Sequence, residues 1–138
     1  MPFPTDPEAS GLEESVRFTP AFDSDGLIPC VTVAASGGDV LMVAWMNAEA
    51  LSRTLETGLV HYWSRSRQEI WKKGETSGAV QRVVDLLTDC DQDVILVRAE
   101  VEKRAGTCHT GRTTCFYRSV PLGGGTIERP FKAGNPKG

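Results

Sequence analysis

The sequence predicts an α+β protein that is mainly β, with a few short helices and one compact domain built on a folded antiparallel or mixed sheet. Three observations favour this class. Apolar segments of strand length recur along the chain, and only one segment combines helical spacing with suitable caps. Hydrophobic residues make up 40% of the 138 residues, which is enough for one core. We therefore expect a single domain without internal repeats.

The first half of the chain contains two predicted strands and the predicted helix. Residues 28–35 and 40–46 are largely apolar, as is typical of buried strands. Residues 47–57 predict the helix, because Asn47 can cap the first turn, apolar residues recur at helical spacing and Gly58 ends the pattern.

The second half is β-like. Four segments carry the β-branched or aromatic residues that are enriched in strands: 59–63, 79–88, 94–101 and 115–120.

The two termini differ in composition from the rest of the chain. Residues 1–16 are rich in Pro and acidic side chains, which predicts an irregular extension. Residues 121–138 are rich in Gly, Lys and Pro, which predicts a flexible tail. Residues 17–120 between them form the expected folded domain.

Charge and composition exclude some classes of function. A net charge of -3 argues against a dedicated nucleic-acid binder, which needs a basic surface to neutralise phosphates. The first residues lack the basic start and apolar run of a signal peptide, and no stretch has the length of a membrane span. We expect a cytoplasmic protein with reduced thiols that binds neither nucleic acid nor membrane.

Residues 89–115 concentrate the ligand types of two kinds of metal ion. The segment contains three carboxylates and three thiols, those of Asp89, Asp91, Asp93, Cys90, Cys108 and Cys115. Carboxylates suit Mg²⁺ or Ca²⁺ whereas thiolates select Zn²⁺, so two separate sites are expected. Alternatively, the acidic triplet is a solvated loop and the cysteines are small buried hydrophobes.

The spacing of the acidic segment bears on where Cys90 points. In an extended chain Asp89, Asp91 and Asp93 share one face and Cys90 lies on the other, so Cys90 needs partners from elsewhere. Three thiols with one position left over resemble a catalytic zinc site more than a closed structural one. His109 adjoins a candidate ligand, although it could also be a core histidine.

A third block of residues has the groups that bind phosphate. Guanidinium, ammonium and hydroxyl donors occur together in Ser64, Arg65, Ser66, Arg67 and Lys73. Trp63 and Trp71 can stack on a base. The alternatives are a charged hairpin with two core tryptophans, and a surface for single-stranded nucleic acid.

Several of these motifs together resemble the phosphoribosyl-AMP cyclohydrolases of histidine biosynthesis. The resemblance runs in order from about residue 18 to residue 118. It rests on Tyr62-Trp63-Ser64-Arg65-Ser66-Arg67, Trp71-Lys72-Lys73-Gly74-Glu75, Asp89-Cys90-Asp91-Gln92-Asp93 and Cys108-His109-Thr110-Gly111.

The resemblance implies a monofunctional hydrolase that uses Zn²⁺ and Mg²⁺. Its substrate would be 1-(5-phosphoribosyl)-AMP, whose adenine ring opens between nitrogen 1 and carbon 6 to give the formimino aminoimidazole carboxamide ribotide. An intertwined homodimer with shared active sites is implied as well.

The resemblance also implies roles for individual residues. Zinc would be held by Cys108 and Cys115 of one subunit with Cys90 of the partner subunit. Magnesium would be held by Asp89, Asp91 and Asp93. His109 would transfer protons, and Trp63, Ser64, Arg65, Ser66, Arg67 and Lys73 would bind the substrate. A zinc-stabilised nucleotide-binding module without turnover is the alternative, favoured if Cys30, expected to be a buried thiol, were a fourth zinc ligand.

Overall fold

The computed structural model describes Phe3 and residues 16–127, which contain one α-helix, one short 3-10 helix and six strands. Most of the predicted extension and the second half of the predicted tail lie outside these residues. The elements, in chain order, are β1 (Ile28–Ala34), β2 (Val40–Met46), α1 (Ala48–Thr57), β3 (His61–Ser64), β4 (Glu69–Lys72), β5 (Gln81–Thr88), β6 (Ile95–Val101) and the 3-10 helix (Arg104–Gly106).

All six strands belong to one mixed sheet in the order β4-β3-β2-β1-β6-β5. Neighbouring strands are antiparallel except for β1 and β6, which pair in parallel at the centre of the sheet. The predicted class, a mainly β single domain with a mixed sheet, is confirmed.

The hydrophobic core lies on one face of the sheet. Burial alternates along β1, so that every second residue from Ile28 to Ala34 is buried. Leu51 of α1, Tyr62 of β3 and Ile95 of β6 pack in the same cluster. Two polar side chains are also buried in this core and bond to each other: the Tyr62 hydroxyl donates to Gln81 Oε1 at 2.7 Å.

The predicted helix is confirmed. It begins one residue later than expected, at Ala48, because Asn47 is the N-cap, whose side chain accepts from Ala50 N at 2.8 Å. Gly58 ends the helix in the left-handed conformation and donates its N–H to Thr54 O at 2.9 Å. Among the residues described, no helix is long and apolar enough to cross a membrane.

Five of the predicted strands occur within two residues of their expected ends, but the strand predicted at 115–120 is wrong. This segment makes one main-chain bond to β2, from Cys115 N to Leu41 O at 2.8 Å. The Thr114 hydroxyl occupies the neighbouring acceptor, Val40 O, at 2.7 Å. These contacts hold the segment beside the start of β2, and residues 115–120 form no strand.

The face of the sheet opposite the core carries an apolar row. Leu87, Leu96, Val31 and Val43 are successive register partners across β5, β6, β1 and β2. Cross-strand partners project from the same face of a sheet. Val43 is 49% exposed and Leu87 is 45% exposed, so this apolar row is not covered by the described part of the chain.

Candidate active site

The loop after the 3-10 helix brings Cys108 and Cys115 together. Cys108 N donates to Arg112 O at 3.1 Å and Gly111 N donates to Cys108 O at 2.8 Å, which closes a tight turn. The thiols of Cys108 and Cys115 are close enough for each to affect the pKa of the other. The Thr110 hydroxyl donates to Cys108 Sγ at 3.1 Å. Two of the three predicted zinc ligands therefore form one pair in this loop.

The surroundings of this thiol pair favour one thiolate and resist a second. Burial disfavours the Cys108 thiolate, but hydrogen bonds from Thr110 and Cys115 and the charge of Lys73 outweigh it, and the pKa of Cys108 is lowered. Burial and the neighbouring Cys108 raise the pKa of Cys115 to about 11, against the opposing charge of Lys73. A soft divalent cation such as Zn²⁺ fits this donor set, because it would stabilise both thiolates.

The loop of residues 107–115, which we call the thiol loop, forms one wall of a cleft of about 680 Å³. This size is typical of small-molecule sites. The β3–β4 hairpin and the turn that follows β4 form the other walls. The cleft brings together the predicted site residues Cys115, His109, Arg67 and Lys73, and Trp71 also lines it.

The remaining predicted substrate residues lie in an adjoining groove of about 730 Å³. Trp63, Ser64, Arg65 and Ser66 line this groove, and Arg67 lines both the groove and the cleft, so the two border each other. The charged-hairpin interpretation of this block is confirmed, since β3 and β4 pair in antiparallel register. Both tryptophans are half-buried and line the depressions; Trp71 also packs against the core, beside Tyr62, whereas Trp63 is not part of the core cluster.

The three acidic side chains converge in the turn between β5 and β6. Ligand oxygens of Asp89, Asp91 and Asp93 lie within 4.8 Å of one another. The predicted extended conformation is wrong here, because Asp89 Oδ1 accepts from Asp93 N at 3.0 Å and folds the segment into a turn. Hydrogen bonding with Asp89 and Asp91 raises the pKa of Asp93 to about 6. A hard cation fits this set, because it would relieve the repulsion among three carboxylates.

The acidic turn depends on a residue that we did not predict. Gln92 is buried and has a φ of 57°, and its Oε1 accepts from Thr19 N at 2.8 Å. Its carbonyl accepts from Ala21 N at 2.7 Å. In the sequence, the one feature that marks Gln92 is that its amide side chain lies between the carboxylates of Asp91 and Asp93.

The acidic turn and the thiol loop lie at opposite ends of the β5–β6 hairpin. The turn precedes β6, and the loop follows it. β6 has seven residues, so its ends are roughly 20 Å apart at about 3.3 Å per residue. Cys90 is exposed on the acidic turn, and β6 lies between it and Cys108 and Cys115 in the same chain. Among the described residues, the acidic triplet is the one group of three potential ligands that converges.

Comparison with known proteins places this arrangement in a family. The sequence profile described as phosphoribosyl-AMP cyclohydrolase matches residues 42–117, more than half of the chain. The chain belongs to the phosphoribosyl-AMP cyclohydrolase family. Proteins named phosphoribosyl-AMP cyclohydrolase from Chelativorans sp. and Nitrobacter hamburgensis are each 56% identical to it, over 119 and 129 residues. These alignments cover 86% and 94% of this chain and 86% of each relative. The Brucella canis protein of the same name is 53% identical over 91% of both chains.

The cyclohydrolase match contains all the predicted site residues, from Trp63 to Cys115. Cys30 lies outside it. In the structure Cys30 is fully buried, and its thiol lies 3.8 Å from the Thr32 hydroxyl in the core.

Proposed function

We propose that this chain is a phosphoribosyl-AMP cyclohydrolase that acts in the cytoplasm in histidine biosynthesis. It would open the adenine ring of 1-(5-phosphoribosyl)-AMP between nitrogen 1 and carbon 6. The observation that carries the proposal is the cleft beside the Cys108–Cys115 loop, which Cys115, His109 and the basic residues Arg67, Lys72 and Lys73 line, in a chain of this family. The names of the relatives support the same activity.

The residues of the cleft suit such a hydrolysis. Cys108 and Cys115, with Cys90 of the partner subunit, would hold Zn²⁺, which supplies a Lewis acid that lowers the pKa of a bound water to about 7. Hydrolysis adds water across the bond between nitrogen 1 and carbon 6, so a proton must reach nitrogen 1 as the bond breaks. His109 is exposed, lines the cleft and adjoins Cys108, which suits it to carry that proton.

The groove beside the cleft suits the rest of the substrate. Trp71 lines both depressions and offers a ring face to a base, and Trp63 offers another in the groove. Ser64, Arg65 and Ser66 in the hairpin provide hydroxyl and guanidinium donors for the two phosphates. The Arg67 side chain is 60% exposed and borders both depressions, which favours it as a phosphate contact.

The acidic turn would hold Mg²⁺ through Asp89, Asp91 and Asp93. Carboxylates and Mg²⁺ together can neutralise substrate phosphates that neither could accommodate alone. In a single chain the whole of β6, about 20 Å long, separates this turn and Cys90 from the start of the thiol loop. A second subunit would bring the two ligand sets to one cleft.

We propose that the apolar row of Leu87, Leu96, Val31 and Val43 packs against a second copy of this chain. A two-fold axis that makes the strands of the two subunits antiparallel would bring the acidic turn of one subunit toward the thiol loop of the other. The exposure of these apolar side chains supports this assignment, since a sheet face of this kind is normally covered.

The alternative, a zinc-stabilised module without turnover, needs a fourth protein ligand. Cys30 is the remaining thiol, and burial raises its pKa to about 12. Cys30 is fully buried in the core and does not line the cleft, so the observations favour the open site.

Turnover tests the proposed function directly. Zinc-loaded protein incubated with 1-(5-phosphoribosyl)-AMP should change the ultraviolet absorbance as the ring opens. Cys108→Ser should lose both zinc and turnover, whereas Cys30→Ala should keep both. Zinc loss in Cys30→Ala, or no turnover by the zinc- and magnesium-loaded protein, would refute the proposal.

A further inference from the structure

We propose that Lys73 is a positioning residue for the zinc site. Its buried ammonium holds the residue next to Cys108 in place and supplies the positive charge that a site of three thiolates lacks. The inference rests on the proposed zinc site and assigns Lys73 a different role from the phosphate contact expected from the sequence.

The main chain fixes Lys73 at the end of the β3–β4 hairpin. Lys73 N donates to Val60 O at 3.0 Å, directly after β4. Gly74 follows with a φ of 87°, and a Cβ there would lie 2.3 Å from Val80 N. The starting point of the Lys73 side chain is therefore set by the sheet on one side and by a crowded turn on the other.

The side chain crosses from this turn to the thiol loop. Lys73 Nζ donates to Thr107 O at 2.6 Å and lies 5.7 Å from the centroid of the Trp71 ring. Lys73 is only 8% exposed and Thr107 is buried. Since Thr107 precedes Cys108, this bond connects the hairpin to the residue beside a candidate zinc ligand.

The charge of this ammonium has no carboxylate partner among the ion pairs of the described residues. A buried cation normally requires an anion nearby. Burial lowers the pKa of Lys73, whereas the nearby thiols of Cys115 and Cys108 favour its charged form. Zn²⁺ with three thiolates carries one net negative charge, and one ammonium balances it.

A phosphate contact would place different demands on this side chain. Its ammonium would need free donors directed into the cleft, whereas one donor is committed to Thr107 and the residue is almost fully buried. Arg67 meets those demands better, because its side chain is largely exposed at the border of both depressions.

Zinc affinity in a graded series of variants tests the proposal. In competition with a chromogenic chelator, Lys73→Met should raise the zinc Kd roughly 10- to 100-fold, the usual effect of removing a group that supports a metal ligand. Lys73→Gln, which keeps an N–H donor without the charge, should fall between Lys73→Met and wild type. Lys73→Arg, which keeps the charge, should lie closest to wild type.

Lys72→Met is the matched control, because Lys72 lines the same cleft, and removing its charge should leave the zinc Kd unchanged. Circular dichroism of the metal-free variants checks that each is folded. If one Lys73 variant does not fold, the zinc Kd values of the remaining folded variants can still be compared with that of the wild type. Unchanged zinc affinity in both neutral variants would overturn the proposal, and weakened binding of AMP by the same variants would assign Lys73 to a phosphate contact instead. Failure of the wild-type protein to bind zinc would instead refute the proposed function and this inference with it.

Discussion

Two cysteines of this chain show how surroundings decide the chemistry of one side chain. Cys30 is enclosed by the core, where burial outweighs its contact with Thr32 and raises its pKa to about 12. Cys108 is also buried, but Thr110 and Lys73 contribute to lowering its pKa. Burial of both thiols is therefore not informative by itself. What separates a packing thiol from a candidate ligand is the presence of donors and positive charge around the sulfur.

The Cys30 thiol should make stability depend on pH in the alkaline range. Below its ordinary pKa of 9.0, Cys30 is protonated in both the folded and the unfolded state. Between about 9 and 12 only the unfolded state loses the proton, so the free energy of unfolding should fall by up to about 1.4 kcal/mol per pH unit from this group. Urea unfolding of wild type and Cys30→Ala should therefore give a difference that shrinks or reverses as pH rises. Parallel pH profiles for the two proteins would contradict this expectation.

At the scale of elements, short turns hold the site together. The acidic turn depends on Gln92, which attaches it to residues 19–21, and the turn after β4 depends on Gly74. The acidic turn joins β5 to β6, and the turn after β4 leads to β5. The length of β6 separates the acidic turn from the thiol loop. Changes in these turns should therefore affect one ligand set without affecting the other.

The two metals should be separable by a change in the acidic turn. Asp91→Asn should weaken the binding of Mg²⁺ and of substrate while leaving the zinc content unchanged, because Asp91 and the thiol loop lie at opposite ends of β6. Brief EDTA treatment should remove Mg²⁺ first, with activity restored by Mg²⁺ alone, since thiolate-bound zinc exchanges slowly. Asp85→Asn is the control, because Asp85 is an exposed carboxylate of β5 that pairs with Arg98. Loss of zinc from Asp91→Asn with normal use of Mg²⁺ would contradict this separation.

Gly74 should tolerate substitution less well than another glycine of similar conformation. Gly74→Ala introduces a Cβ that meets Val80 N at 2.3 Å, in addition to the strain of a positive φ. Gly37→Ala has a φ of 92° but meets nothing within 4 Å, so it isolates the conformational cost, about 1 kcal/mol. Thermal unfolding should show a markedly larger loss for Gly74→Ala. Equal losses would mean that the turn relaxes around the new methyl group.

Local signals explain which elements could be predicted from the sequence. The helix was predictable because Asn47 and Gly58 act on neighbouring residues. The turn at 89–93 was not, because the side chain of Asp89 bonds to main-chain groups that the alternation of residues does not reveal. The candidate ligands were identifiable by type. Their separation within one chain was not, because it follows from the pairing of β5 with β6 and from the sheet order.

For the whole molecule, the apolar row and the separated ligand sets have one common explanation in a two-fold dimer. Each subunit would supply a thiol loop to one site and an acidic turn with Cys90 to the other. A mutation in either part would then disable a different site of the same dimer. This division makes the assembly testable without a structure of the complex.

Mixing two inactive variants should restore activity. A mixed dimer of Cys90→Ser and Cys108→Ser contains one site with all three thiols, so it should have up to half of the activity of a wild-type dimer. A mixture of Cys108→Ser and Cys115→Ser should stay inactive, because both changes affect the thiol loop and no site is complete. Subunit exchange is confirmed by mass spectrometry of differently tagged chains. Absence of recovery in the first mixture after exchange would place each site within one chain.

The parallel pairing at the centre of the sheet has a consequence for synthesis on the ribosome. β2, β3 and β4 follow β1 closely in the chain and can pair as soon as they are made, whereas β6 is the last strand synthesised. Until then β1 presents an unpaired edge, and exposed strand edges are templates for aggregation. The register partners Cys30 and Ile95 are separated by most of the domain's sequence. Pairing β1 with β6 therefore requires a large loop to close and should be slow. We expect truncated nascent chains that end before β6 to be the species that chaperones bind.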